Sequence, residues 1–214
     1  MIILKGMEVS PAVNKVRFVL NHLGLDYRFD RVNLAAGEGQ APDYLKLNPT
    51  GKIPVLIDGD FAIWESNAII KYLARRQNSP IYPADLKKQA LVDQWMDFGS
   101  LHAANAMSRL TYNMLIAPRR GEAPDTRSME DGRKFLNRYL PIIDAQLGKS
   151  KHLAGQELSL ADFNMLSALD PAEVCEVDLS SYTNLNKWRS ELQKQAFYTK
   201  CYTSYADFLA AMKK

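Results

Sequence analysis

Residues 48–72 decide the fold, and they read NPTGKIPVLIDGDFAIWESNAIIKY. Two short runs rich in β-branched and aromatic residues, Ile53–Ile57 and Phe61–Trp64, flank the turn Asp58-Gly59-Asp60. That arrangement is typical of a β-hairpin. Apolar residues at helical spacing then follow from Ala68 to Leu73. The stretch therefore predicts a hairpin followed directly by a helix.

Pro54 and the start of that helix indicate how the segment would bind a peptide. A trans proline would remove a donor from the strand ladder, so Pro54 is expected at a sheet edge, at a strand start or in a cis turn. A cis bond would turn the backbone of Ile53 outward, where it can pair with an extended peptide. Ser66 and Asn67 are expected to cap the helix, and its free N–H groups beside Glu65 favour a bound carboxylate.

Two strings on either side of the hairpin, NPTGKIPVL and WESNAI, resemble the glutathione-binding segment of the cytosolic glutathione transferases. The resemblance extends more loosely over the whole chain. It implies an α/β thioredoxin-like N-terminal domain plus an all-α C-terminal helical domain, with glutathione as co-substrate. It also implies a homodimer. A hairpin and helix of some other α/β domain is the alternative interpretation of the same strings.

Several site residues are implied by matching this family position by position. Glu65 would accept from the ammonium group of the γ-glutamyl end, and Ser66 would hold its carboxylate. The backbone of Ile53 would pair with the cysteinyl part of the peptide. Lys52 would face the glycyl carboxylate, although a solvated loop lysine is an equal alternative, and Gln40 lies in the loop that often contacts the glycyl end.

Ser10 is the candidate for catalysis. It occupies the place of the catalytic serine in serine-type transferases of the theta-like and phi-like kind, where the hydroxyl would donate to the glutathione sulfur. A hydrogen bond to the anion and the dipole of the following helix both favour thiolate. Ser10 before Pro11 is also an ordinary helix start, so both interpretations stay open. No tyrosine precedes this helix and no cysteine lies near it, which disfavours tyrosine-type and cysteine-type relatives.

The order of predicted elements divides the chain into two domains. A strand, a helix, a strand, then a hairpin and a helix give a thioredoxin-like, glutathione-binding domain over residues 1–76. Residues 77–86 hold two prolines without periodicity and are interpreted as a linker. Residues 87–214 are predicted to form an all-helical domain that carries the site for the electrophile.

Four long helices are predicted in this second domain, over residues 87–116, 126–147, 184–195 and 202–212. Ser159 and Asp162 form the acidic version of a capping box at the start of another helix. The electrophile is expected between the domains, against apolar residues of the first long helix. The candidates, most of them equally suited to a helix core, are Met107, Leu110, Tyr112, Met114 and Leu115.

Composition and charge narrow the functional classes. The chain of 214 residues is 47% hydrophobic and 24% charged, as expected for a globular protein. Its net charge of +3 is dispersed rather than clustered, so no nucleic-acid partner is predicted. No run approaches the roughly 18 apolar residues of a membrane span. Two cysteines and three unclustered histidines predict a cytoplasmic protein without a disulfide framework or a metal site.

The sequence thus predicts a glutathione S-transferase of detoxification type, acting on a small hydrophobic electrophile. The strings around Trp64 and Trp95 further resemble bacterial theta-related transferases, some of which act on halogenated small acids. A glutathione-dependent isomerase of the maleylacetoacetate type is one alternative, although its paired serines and cysteine are missing beside Ser10. A non-catalytic glutathione-binding or interaction protein with the same fold is the other.

Overall fold

The predicted hairpin is present at one edge of a four-stranded sheet in this computed structural model, which describes residues 1–211. The strands are β1 (Ile2–Gly6), β2 (Tyr27–Arg31), β3 (Val55–Asp58) and β4 (Phe61–Trp64). Their order is β2-β1-β3-β4, with β1 and β2 parallel and the other pairs antiparallel. Strand β3 begins two residues later than predicted because Pro54 has no N–H to give to the ladder.

Three helices accompany this sheet: α1 (Pro11–His22), α2 (Pro42–Leu47) and α3 (Ser66–Arg76). Helices α1 and α3 pack against each other through apolar faces spaced at three and four residues. Val13 and Val16 on α1, and Ile69 and Leu73 on α3, are fully buried. Helix α1 ends just before Gly24, whose φ of +65° suits the left-handed position after a helix. The order of elements confirms the thioredoxin-like fold.

Contacts among the described residues divide the chain into two units. One contains residues 1–82 and the described residues from 194 onward, and the other contains residues 83–193. The second unit is helical, with α4 (Leu86–Asp97), α5 (Asn105–Thr111), α6 (Thr126–Leu147), α7 (Leu160–Leu169) and α8 (Thr183–Gln193). Helix α6 has the bounds that the sequence predicted. After Trp64, the described chain contains no further strand.

The first long helix differs from the predicted regular helix. Two wide π-helical stretches, Phe98–Ala104 and Tyr112–Ile116, interrupt its α-helical turns. Before the first of them, the side-chain amide of Asn164 donates to the carbonyl oxygen of Met96 at 2.8 Å. A side chain that takes a ladder carbonyl is a recognised cause of such irregular turns. The spacing of apolar residues in the sequence gives no sign of this interruption.

The C-terminal segment packs differently from the prediction, which assigned all of residues 87–214 to the helical domain. It carries the short helix α9 (Ala196–Thr199) and α10 (Tyr205–Ala211). The ring of Tyr198 stacks on Phe18 of α1 at 5.0 Å, and Asn21 donates to the Phe197 carbonyl at 3.0 Å. Aromatic packing therefore joins this segment to the first unit. The predicted end of the last helix, Met212, lies outside the described residues.

Within the described chain, no helix has the length and apolar character that a membrane crossing requires.

Candidate active site

The loop before β3 holds the backbone of Lys52 and Ile53 in a fixed position. The Ile53–Pro54 peptide bond is cis, which is one of the predicted alternatives. The Lys52 carbonyl accepts from the Tyr44 hydroxyl at 2.8 Å and from the amide of the buried Asn48 at 2.6 Å. Burial raises the pKa of Tyr44 to about 12, so its hydroxyl remains a donor at neutral pH. The Ile53 N–H and C=O bond to no other described residue and are available to an extended ligand.

The backbone of Lys52 and Ile53 is called the clamp below. Helix α3 follows it after the β3–β4 hairpin and begins differently from the prediction. Glu65, not Ser66 or Asn67, is the residue preceding the helix, and its side chain makes no capping bond. Its backbone is in an unusual region for a residue other than glycine, with φ 70° and ψ 109°. Such conformations concentrate at functional sites. The Glu65 side chain is exposed and lies at a helix N-terminus whose N–H groups favour an anion.

Ser66 and Asn67 use their side chains to bind a buried cation, which the sequence analysis did not identify. The ammonium group of Lys15 donates to the Ser66 hydroxyl oxygen at 3.1 Å and to the Asn67 side-chain oxygen at 2.7 Å. Lys15 is on α1 and is only 7% exposed. A lysine within an apolar helix pattern gives no sign that it is buried, because long basic side chains usually reach solvent.

Ser10 precedes α1, as predicted, with extended backbone angles and Pro11 as the first helical residue. Its backbone carbonyl accepts from the N–H groups of Val13 and Asn14 at 3.0 and 2.8 Å. Its hydroxyl makes no capping hydrogen bond, although a serine at this position usually does. The hydroxyl of Ser10 is therefore free to donate to a ligand at the start of α1.

Gln40 and Lys52 lie on either side of Gly51. Gln40 ends a short 3-10 helix, Glu38–Gln40, and its side-chain amide lies in the space that a Cβ on Gly51 would occupy. Gly51 has φ +67°, which a glycine adopts without strain. Both Gln40 and Lys52 are exposed. The structure therefore brings these two predicted site residues together at a polar, solvent-accessible position.

The apolar candidates for the electrophile site separate into two groups. Met107 and Leu110 are 2% and 0% exposed and belong to the core of the second unit. Tyr112 is 39% exposed, and its hydroxyl donates to Glu122 at 2.6 Å. Met114 and Leu115 are partly exposed. The core interpretation therefore holds for the first two.

The arrangement in the first unit offers a backbone clamp, an anion-favouring helix start, an acidic side chain and a free hydroxyl. A peptide with an ammonium group, carboxylates and a thiol needs these groups. Ser66 is connected to α1 through Lys15, and Val55 of the clamp strand is paired with Trp64, the residue before Glu65. The Lys15 hydrogen bond therefore joins the start of α3 to α1, and strand pairing keeps Glu65 close to the strand that follows Ile53.

Comparison with known proteins agrees with this geometry. Residues 3–75 match the family model of the glutathione S-transferase N-terminal domain, and residues 105–196 match that of the C-terminal domain. Glutathione S-transferase 3 of Zea mays is 38% identical over 174 residues, 79% of this chain and 78% of the relative.

Solved structures give the same result. Glutathione transferase F7 from Populus trichocarpa has a TM-score of 0.87 at 28% identity, with 94% of this chain and 97% of that chain covered. Glutathione S-transferase I from mais, in complex with an atrazine glutathione conjugate, has a TM-score of 0.84 at 31% identity, with 94% and 95% covered. The chain therefore belongs to the glutathione S-transferase family and is a transferase with glutathione as its co-substrate.

Proposed function

We propose that this enzyme activates glutathione with the hydroxyl of Ser10. Glu65 accepts from the ammonium group of the γ-glutamyl end, and Ser66 with its N–H binds the carboxylate there. The free backbone of Ile53 pairs with the cysteinyl part, while Lys52 and Gln40 face the glycyl carboxylate. These assignments follow the sequence match and are supported by the contacts of the first unit.

The single observation that carries the catalytic assignment is the Ser10 hydroxyl without a capping bond. If this serine only started the helix, its oxygen would be expected to accept from an N–H of the first turn. A free hydroxyl beside the positive end of the α1 dipole instead donates to a thiolate. Both effects favour the ionised sulfur, which then attacks the electrophilic carbon while the leaving group departs with the bonding electrons.

Substitution of Ser10 by alanine tests the assignment. We expect kcat/KM with an aromatic halide to fall by about 10²-fold, the loss typical of one donor to a reacting anion. The pKa of the bound glutathione thiol should rise, as followed by the ultraviolet absorbance of the thiolate. Ser159→Ala is the matched control, because Ser159 also precedes a helix but its hydroxyl donates to Asp162 at 3.0 Å. Unchanged rate and thiol ionisation in Ser10→Ala would show that Ser10 only starts the helix.

The class within the family is also part of the proposal. A catalytic Ser10 supports a serine-type enzyme of the theta-like or phi-like kind, and the strings around Trp64 and Trp95 favour the bacterial theta-related group. The electrophile is proposed to be small and hydrophobic, with halogenated compounds as one class. The mais relative bound to an atrazine glutathione conjugate supports an apolar acceptor. A panel of alkyl and aryl halides would separate these candidates.

A homodimer in the cytoplasm completes the proposal. A largely apolar groove on the second unit, with a volume of about 440 Å³, supports the dimer. Its apolar lining is Trp95, Phe98, Leu101 and Ile142, with the polar residues Gln94, Asp97 and His102 beside them. Leu101 is 67% exposed and Ile142 is 45% exposed. Contiguous exposed apolar surface is typical of protein interfaces. Within the part of the chain that the structure describes, the buried residues Cys175 and Cys201 form no disulfide bond, which supports the cytoplasmic location.

A further inference from the structure

Lys15 is a buried cation in direct contact with the first turn of α3. Its ammonium group reaches across 51 and 52 residues of sequence to the side chains of Ser66 and Asn67, at 3.1 and 2.7 Å. Lysines are almost never fully buried unless they are paired, because removing the charge from water is costly. Among residues 1–211, no carboxylate forms a salt bridge with this amine. Two neutral oxygens therefore hold a charge that burial disfavours.

The charge state of Lys15 responds to its surroundings near neutral pH. Burial lowers the pKa of Lys15 to about 7, and the negative charge of Glu65 acts in the opposite direction. Glu65 is thus the anionic group that acts on it. The other ionisable side chains of α1, and of α3 and α9 that pack against it, are those of Arg17, His22, Lys71, Tyr72, Arg75, Arg76 and Tyr198. Tyr27 of β2 interacts with Arg17, and Cys201 lies near Tyr27.

The proton on Lys15 determines the direction of one hydrogen bond. A protonated amine has three donors and no acceptor, so Ser66 must accept from it. The hydroxyl hydrogen of Ser66 is then available for a second group on the solvent side. A neutral amine has a lone pair, which lets it accept the Ser66 hydroxyl and turn that hydrogen inward.

We propose that Lys15 is a positioning residue of the glutathione site: when protonated, it keeps Ser66 as an acceptor and so makes the Ser66 hydroxyl hydrogen available to the γ-glutamyl carboxylate. This inference rests on the proposed function, in which Ser66 binds that carboxylate. Lys15 also places a positive charge next to Ser66, where it attracts the γ-glutamyl carboxylate, and Asn67 holds the Lys15 amine in place. Lys15 contacts Ser66 and Asn67, on the side proposed for the γ-glutamyl end, so its effect is on binding.

The sign of the pH dependence follows from linkage. An anion bound at Ser66 stabilises protonated Lys15, so the pKa of Lys15 is higher in the complex than in the free enzyme. Affinity is therefore full below the free value of about 7. It weakens as pH rises above that value and levels off once the pKa of the complex has been passed. A merely structural lysine would not produce this profile.

The test measures the Kd of S-methylglutathione by calorimetry from about pH 6 to about pH 8.5, a window that brackets the titration of Lys15. This ligand has no free thiol, and titration of the sulfur therefore does not contribute to the pH dependence of Kd. For the wild-type enzyme we expect affinity to fall about tenfold across the window, the lower end of the range for one hydrogen bond to a charged group. The Lys15→Met variant should bind S-methylglutathione weakly already at the lowest pH, and the fall in affinity caused by titration of Lys15 should be absent.

Two further variants complete the design. Lys15→Arg keeps a permanent charge, so its affinity should exceed that of Lys15→Met and lack the wild-type fall. Lys71→Met is the matched control, because it removes a lysine from α3 beyond its first turn and should keep the wild-type profile. Titration of the ligand's own ammonium group is common to all variants and cancels in the comparison. If Lys15→Met does not fold, comparison of the wild-type and Lys15→Arg profiles of affinity against pH still tests the proposal.

The outcomes separate this inference from the proposed function. If Ser66→Ala weakens binding while Lys15→Met matches the wild type at every pH, the role of Lys15 is refuted and the glutathione site stands. A wild-type profile parallel to that of Lys15→Met, or to that of Lys15→Arg, also refutes it. If the wild type does not bind S-methylglutathione, or Ser66→Ala binds as tightly as the wild type, the proposed γ-glutamyl site itself is wrong.

Discussion

Substitution of Asp162 by alanine should be among the most destabilising single changes in the second unit. Its side chain is 0% exposed, and its two carboxylate oxygens accept four hydrogen bonds. One oxygen accepts from the Leu153 N–H and the Trp188 indole, both at 3.0 Å. The other accepts from the Ser159 N–H at 2.9 Å and from the Ser159 hydroxyl at 3.0 Å. His152 lies 3.5 Å away, so the carboxylate joins a loop, a helix start and α8.

The expected loss can be worked from these contacts. Alanine leaves buried donors without an acceptor, and each such donor costs about 1–3 kcal/mol. Partial relaxation and entry of water reduce the sum, so we expect a loss of about 3–5 kcal/mol in the free energy of unfolding, the range for removing one partner of a buried charged network. In a chain of this size each kcal/mol shifts Tm by about 2–4 °C. Tm should therefore fall by roughly 6–20 °C.

Differential scanning calorimetry with three comparison variants would check this value. Asp162→Asn keeps one acceptor oxygen and can satisfy the Leu153 and Trp188 donors, so its loss in the free energy of unfolding should be about half as large. This variant tests the prediction if Asp162→Ala does not fold. Ser159→Ala should cost about 1 kcal/mol. Glu130→Ala, at an exposed position of α6, should change stability by no more than about 0.5 kcal/mol. A Tm for Asp162→Ala within about 2 °C of the Glu130→Ala value would refute the reasoning.

Three further predictions concern other parts of the molecule. Asn48→Ala removes the 2.6 Å hydrogen bond to the Lys52 carbonyl, so the free energy of unfolding measured by thermal denaturation should fall by about 1–3 kcal/mol. Steady-state kinetics should show a higher KM for glutathione, and an unchanged KM would argue against the clamp. Gly51→Ala places a Cβ 2.9 Å from the Gly39 carbonyl oxygen at φ +67° and should cost about 1–3 kcal/mol, whereas Gly59→Ala, at a similar φ with open space around it, should cost less. Ile142→Glu puts a charge into the apolar groove and should shift the dimer towards monomer in sedimentation velocity, and an unshifted dimer would exclude this groove as the interface.

The parts of the fold that the sequence predicted depend on local signals. The turn at Asp58-Gly59-Asp60 needs a glycine in the left-handed region, and Gly59 has φ +65°. Helix α6 was predicted at its observed bounds because polar residues end its amphipathic pattern sharply. The acidic residue three positions after Ser159 predicted the link from Asp162 back to the Ser159 N–H, which is present at 2.9 Å. Each of these signals is carried by residues that are close together in the sequence.

The features that the sequence did not predict depend on distant partners. Lys15 binds residues more than 50 positions away, and its pattern is that of a solvated helix residue. The wide turn after Asp97 depends on an amide from Asn164, 68 positions from its acceptor, Met96. The attachment of the C-terminal segment depends on Tyr198 stacking on Phe18, which no local periodicity encodes. Tertiary contacts of this kind override local propensity.

Ser10 and Ser159 both precede a helix, and the third residue of that helix indicates whether the serine hydroxyl is free to act on a ligand. Asp162, the third residue of its helix, accepts from the Ser159 hydroxyl at 3.0 Å, so that hydroxyl is already bonded. The corresponding residue after Ser10 is Val13, which has no group to offer, and the Ser10 hydroxyl makes no capping bond. An apolar third residue therefore leaves a serine hydroxyl available where an acidic one binds it. Val13→Asp should bond the Ser10 hydroxyl and lower kcat/KM, while Val13→Ala, which offers no acceptor, should have a smaller effect on the rate. Both substitutions should reduce stability because Val13 is fully buried, so the rates are compared per folded enzyme. Equal rates in the two variants would contradict this explanation of why Ser10 is free to act on the thiol.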